Sequence, residues 1–230
     1  MKQVLLLIPL LTLASSIAGA TSMCINDDTL QNYINNYSTA GTACQIGDKL
    51  FYNFQLVNNN GNTNGRAATN IQVQDLPFDG VSNIGVNFNT GGWVISNGAS
   101  IDQSITYNVV TASSQPLIKD LTLIITASLT SGTGSVTVTE SVNPAVTGTP
   151  LTATVGTQLV NTDFSPNYQT TLAVTDRILV VGGSTVTSFA HLSSIENDFS
   201  EVAPEPLGTV LIGSGLLILG VVRRRSSRRG

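Results

Sequence analysis

Apolar and polar residues alternate with a period of two through much of the chain, the pattern of strands that bury one face. Positions 50–57 put Phe51, Asn53 and Gln55 on one face and Tyr52, Phe54 and Leu56 on the other. In 68–76, Ile71 and Val73 alternate with Gln72 and Gln74. In 100–111, Ile101, Gln103, Ile105, Tyr107 and Val109 share a face. Segment 119–129 is almost continuously apolar and predicts a buried central strand. In 135–142, Val136, Val138 and Glu140 alternate against Thr137 and Thr139. Segments 151–155, 170–175, 177–181 and 184–192 complete a set of about ten strands between Gly, Asn and Pro clusters.

Helical spacing occurs in one short stretch. Asp28-Thr29-Leu30-Gln31 has the spacing of a capping box, with Asp28 as cap and Gln31 reaching back. Leu30, Tyr33, Ile34 and Tyr37 then fall on one helical face. No amphipathic helix separates the later strands, which excludes a parallel βαβ sheet. The expected fold is all-β: an antiparallel sandwich of two packed sheets, immunoglobulin-like or jelly-roll-like. Phe78, Phe88 and Trp93 are expected at the core or a sheet edge, and Trp93 is the candidate for stacking on a sugar. The Asn- and Gly-rich stretch 58–65 reads as a loop, because both residues tolerate left-handed backbone.

Two segments break the strand pattern. The chain opens with Met1-Lys2, an apolar run over 4–13, and Ala18-Gly19-Ala20. A positive start, a short apolar core and a small-residue exit make a secretory signal peptide over 1–20, with cleavage expected after Ala20. At the other end, Pro204-Glu205-Pro206 precedes an uncharged run over 207–222, then Arg223, Arg224, Arg225, Arg228 and Arg229. As a helix the run would be about 24 Å long, slightly short of a ~30 Å bilayer core. The arginines favour the cytoplasmic side, which would leave the domain over 21–200 facing outward. The two prolines keep the preceding segment extended.

Composition and charge narrow the function. Only 10% of the 230 residues are charged and 6% aromatic, while 41% are apolar, which suits a turn-rich extracellular β protein and not a disordered chain. Between 21 and 206, four basic residues (Lys49, Arg66, Lys119, Arg177) face all 14 acidic ones, a formal charge of −10. That surface repels phosphate backbones, so nucleic acid is excluded as the expected partner. Cys24 and Cys44, the two cysteines, imply a disulfide in an exported protein.

Little in the sequence points to catalysis. His191, the one histidine, sits between Ala190 and Leu192 and reads as an ordinary strand residue. Gly182-Gly183-Ser184-Thr185 lacks the lysine of a phosphate loop. Asp75, Asp79, Asp102, Asp120, Asp163 and Asp176 are available for paired-carboxylate chemistry, but most sit at strand ends or turns. Asp27, Asp28 and loop Asn or Asp side chains could offer oxygens to calcium, but no EF-hand or repeat motif accompanies them, so no metal ligands and no cofactor are assigned.

The C-terminal order of Pro204-Glu205-Pro206, apolar segment and arginine block over 201–230 resembles the PEP-CTERM sorting signal, with Val202 and Ala203 where Val usually precedes the motif. The resemblance implies processing by exosortase, after signal peptidase, in a bacterium that makes an extracellular polysaccharide matrix. Cys24, Leu30, Tyr33, Cys44, Ile46, Gly47, Asp48 and Phe51 also resemble the mature start of a two-cysteine group of such proteins, common in soil Acidobacteria. Segment 172–178 and Phe199-Ser200 are similar to that group's closing strands. The expectation is a non-enzymatic surface or matrix protein, membrane-anchored before processing. The alternatives are a module that retains extracellular polysaccharide through Trp93 and a membrane-anchored hydrolase.

Overall fold

The computed structural model describes residues 22–76, 84–112, 117–131, 133–165 and 167–201. The two ends of the chain, with Pro204-Glu205-Pro206, the apolar run and the arginines, lie outside them, as do Phe78 and Asp79. Among the described residues no helix is long and apolar enough to cross a membrane.

Two sheets pack face to face. The first takes the order β1 (Ser22–Met23), β3 (Cys44–Ile46), β4 (Lys49–Asn58), β7 (Ser100–Thr111), β12 (Thr171–Val181), β9 (Ser135–Asn143), β10 (Leu151–Thr154). The second runs β11 (Leu159–Asp163), β8 (Ile118–Leu129), β13 (Ala190–Glu201), β6 (Ile84–Ile95), β5 (Gln72–Leu76), β2 (Asp28–Thr29). Every pairing is antiparallel except β1 with β3. The all-β, two-layer expectation therefore holds.

The core lies between the layers, and its rings bridge them. Phe51 of the first sheet meets Phe199 of the second, with ring centroids 6.1 Å apart. Tyr107 stacks on Phe54 at 5.5 Å and tilts against Phe88, across the gap, at 5.8 Å. All of these rings are buried, and aromatic pairs of this kind add to what area burial alone provides.

The sequence missed where backbone geometry overrides side-chain alternation. In β4 the register shifts between Tyr52 and Gln55, where Asn53 has φ of 59°. Asn53 donates its N–H to Tyr37 O at 2.6 Å. This bulge puts both Phe51 and Phe54 in the core, so the single-face assignment fails there. Residues Ala68–Asn70 form a 3₁₀ turn, and the strand starts only at Gln72. The segments 170–175 and 177–181 are one strand, β12. The strand expected over 184–192 is displaced to Ala190–Glu201, and Ile84–Ile95 is a strand that no alternation announced. Segment 119–129 is paired on both sides but lies next to the sheet edge, and its burial alternates.

The helix α1 (Leu30–Asn36) forms one residue later than its expected cap. Thr29 is the N-cap, accepting from Asn32 N at 3.3 Å, and Gln31 bonds Asn35 instead of reaching back. Asp28 belongs to β2, and its Oδ1 accepts from Thr29 N and Asn32 Nδ2, both at 2.7 Å. The helix buries Leu30 and Tyr33 against β4, with the Tyr33 ring edge-on to Phe54 at 5.0 Å.

Cys24 and Cys44 are disulfide-bonded, with Cα atoms 4.7 Å apart. The bond ties the chain just after β1 to the first residue of β3, so helix and disulfide hold the N-terminal segment to one sheet corner. Closing this loop is expected to contribute about 3 kcal/mol. A Cys24→Ala, Cys44→Ala double variant should therefore unfold at lower urea concentration by that free energy, measured by fluorescence-monitored denaturation.

Candidate functional site

Trp93 is fully buried, and its indole N–H donates to Gln103 Oε1 at 2.9 Å. Gln103, also fully buried, accepts there from Arg66 N at 2.8 Å as well. Its Nε2 donates to Asn58 Oδ1 at 2.7 Å and to Arg66 O at 2.8 Å. The expected core placement of Trp93 therefore holds, and the alternative of stacking on a sugar does not fit. The ring's polar atom is satisfied inside the protein and neither face meets solvent. Phe88 is a core residue too.

On the outer side of β7, the Asn-rich loop folds over Asp102. Asn59 Nδ2 donates to Asp102 Oδ1 at 2.8 Å and to Ser104 Oγ at 2.9 Å. Asn60, at φ 52°, donates to Asp102 Oδ2 at 3.1 Å. Arg177 grips the same carboxylate with two bonds, Nε to Oδ1 at 3.1 Å and a terminal nitrogen to Oδ2 at 2.8 Å. Arg177 chiefly, then the loop amides, holds Asp102 down at about 2 against a burial effect that raises it. A groove of about 390 Å³ beside this pair is lined by Asn59, Asn60, Ser104 and Arg177.

A second cleft, of about 430 Å³, is lined by Arg66, Asn70, Gln72, Asn89 and Thr90, with Thr29, Thr69 and Gly91 completing it. The Arg66 guanidinium on its wall donates to the carbonyl of Gly92, whose φ of 128° is a glycine conformation.

The third arrangement is interior. On β12, Val174, Asp176 and Ile178 point into the core, and on β9 so do Val138, Glu140 and Val142. The register sets Asp176 directly opposite Glu140, which brings their Cβ atoms to about 5 Å. From the facing sheet, Asn197 Nδ2 donates to Asp176 Oδ2 at 2.6 Å and to Tyr107 Oη at 2.9 Å. Burial raises Asp176 to about 7, opposed by the Asn197 bond. Burial, then Asp176, then Asp198 push Glu140 well above the carboxylate range.

Asp176 was among the carboxylates singled out from sequence, but its partner Glu140 was not. The available signal was a glutamate alternating with Val136 and Val138 on an apolar face. Among the described residues, the other named carboxylates do not join this pair. Asp120 and Asp163 are register partners between β8 and β11. Asp198, beyond the sequence-based choice, is pushed to about 7 by burial, then by Glu196 and Asp120. His191 Nε2 lies 3.4 Å from Ser193 Oγ, without a carboxylate bonded to the ring among the described residues. Among those residues, no group of three or more His, Cys, Asp or Glu side chains comes together as a metal site.

No family model and no curated protein matches the chain. Among solved structures, it is similar to the enzymatically active domain of tailspike protein 4 from bacteriophage CBA120, at 8% identity and a TM-score of 0.28. The match covers 76% of this chain and 22% of the tailspike chain. At that TM-score it bears on neither fold nor activity.

The Asp102 contacts generate a pH prediction. A carboxyl whose folded value lies below the ordinary 3.8 adds stability that is complete above that value and is lost as pH falls through about 2. The gap in unfolding midpoint between the wild type and Asp102→Asn should be constant above pH 4 and shrink between pH 4 and 2. Carboxyls raised by burial are common to both proteins and drop out of the difference. Thermal melts across that range measure it.

Proposed function

We propose that this chain is an exported surface or extracellular-matrix protein of a bacterium, with a structural or interaction role and no catalytic activity of its own. The observation that carries the reading is the Cys24–Cys44 disulfide, which fastens the N-terminal segment to the sandwich. Such bonds persist in oxidising compartments outside the cytoplasm. The signal-peptide pattern before it and the PEP-CTERM pattern after β13 agree with that address. Signal peptidase and exosortase are then the processing enzymes, and the apolar run over 207–222 is a transient membrane anchor. The two-layer architecture is of the kind that immunoglobulin-like and jelly-roll-like extracellular domains use. The paired carboxyls Glu140 and Asp176 sit in the core, away from any substrate, which favours a scaffold over a hydrolase.

Protein recovered from the surface and medium fractions of its native host should lack residues 1–20 and everything beyond the region of Pro206, read by intact mass. A mass retaining residues 207–230 would remove exosortase processing and leave a plain anchor.

The cleft at Gln72 and Asn89 supports a second reading, retention of extracellular polysaccharide. Amide and hydroxyl side chains match the hydroxyls of a sugar, and Trp93 is not needed. A Gln72→Ala, Asn89→Ala variant should then elute early from a column of the host's matrix polysaccharide. Unchanged retention, or none by the wild type, would remove this reading.

A further inference from the structure

Of the four basic residues between 21 and 206, three stand beside a carboxylate. Lys49 pairs with Asp48 and Glu201, Lys119 lies 4.0 Å from Asp120, and Arg177 grips Asp102. Arg66 has no acidic partner among the described residues, in a segment whose formal charge is −10. Its position is nevertheless fixed from two sides. The fully buried Gln103 accepts from Arg66 N and donates to Arg66 O, and is itself held by Trp93 and Asn58. The side chain donates through Nε and one terminal nitrogen to Gly92 O. A guanidinium carries five N–H donors. With two of them on Gly92, the rest, all on the two terminal nitrogens, have no protein partner among the described residues. A fork already held in place loses little freedom on gripping an anion.

We infer that the cleft beside Arg66 takes a sugar unit carrying a carboxylate, a uronic acid, with the Arg66 guanidinium as the partner of that carboxylate. The inference rests on the saccharide reading of the cleft given above and adds the kind of sugar. Around Arg66 the lining is amide and hydroxyl, from Asn70, Gln72, Asn89 and Thr90. Gln72 and Asn89 are cross-strand partners, so their amides stand side by side on one sheet face and offer donors and acceptors to ring hydroxyls. Among the described residues no acidic side chain lines the cleft, which makes it a positive spot on a negative surface. None of them adds a large apolar side chain either, so the cleft lacks the pocket that would anchor a peptide. A guanidinium can meet both oxygens of a carboxylate at once. The surrounding charge of −10 opposes a polymer with a carboxylate on every unit, so the ligand is a mostly neutral saccharide with an isolated or terminal uronate.

The test titrates the full-length protein, in detergent, with methyl glucuronide and separately with its neutral methyl ester, reading binding by saturation-transfer NMR. The acid should bind about tenfold tighter than the ester, the worth of a charge-assisted pair. That preference should shrink as salt is raised. Arg66→Gln, whose amide can still donate to Gly92 O, should bring acid and ester to equal affinity. Gln72→Ala should weaken both sugars in proportion. Equal binding of acid and ester by the wild type would overturn the acidic-sugar inference and leave the saccharide reading of the cleft standing. Binding of neither sugar would overturn both. Sodium sulfate that displaces the glucuronide at equal concentration would also overturn it, leaving an anion site without sugar recognition. If Arg66→Gln fails to fold, the wild-type comparison of acid with ester still decides.

Discussion

Tyr107 is the point on which the two layers register. Its ring packs on Phe51 and Phe54 of its own sheet and on Phe88 of the other. Its hydroxyl, buried with the ring, accepts from Asn197. A sandwich held by apolar area alone can slide, because dispersion contacts are undirected. A buried hydroxyl with one partner fixes the offset, since any slip would strand both groups without hydrogen bonds. The same offset sets Asn197 against Asp176, because Asn197 bonds Tyr107 and Asp176 at once.

The fold was legible where one strand face is uniformly apolar. Strand β7 runs over the residues that alternation marks, Ser100 to Thr111, with Gln103 as the exception on its buried face. That exception has a physical reason, since the amide meets the Trp93 N–H and the backbone of Arg66. Alternation failed where a polar residue serves the interior. Strand β13 carries Ile195, Asn197 and Phe199 inward between Glu196 and Asp198, so its pattern reads as polar. Strand β6 begins Ile-Gly-Val-Asn and contains Gly91-Gly92 at positive φ, a composition that local rules assign to a turn.

The carboxyl pair was half legible for a different reason. Glu140 and Asp176 lie far apart in sequence and meet only through the β9–β12 register, which no local pattern encodes. The same holds for Lys49, whose ammonium lies fully buried between Asp48 at 3.2 Å and Glu201 at 2.7 Å. Sequence supplies the residue types for such contacts, and topology decides which of them touch.

The Lys49–Glu201 pair also governs how the domain carries load. Glu201 is the last residue of β13, a strand flanked by β8 and β6 along nearly its whole length. A pull on the chain beyond Glu201 runs along the strand axis, so the ladder bonds on both sides resist together in shear rather than opening one at a time. Lys49 lies on the opposite sheet and shares that load from the first residue. A tether at this end would make the sandwich a mechanical clamp rather than a zipper.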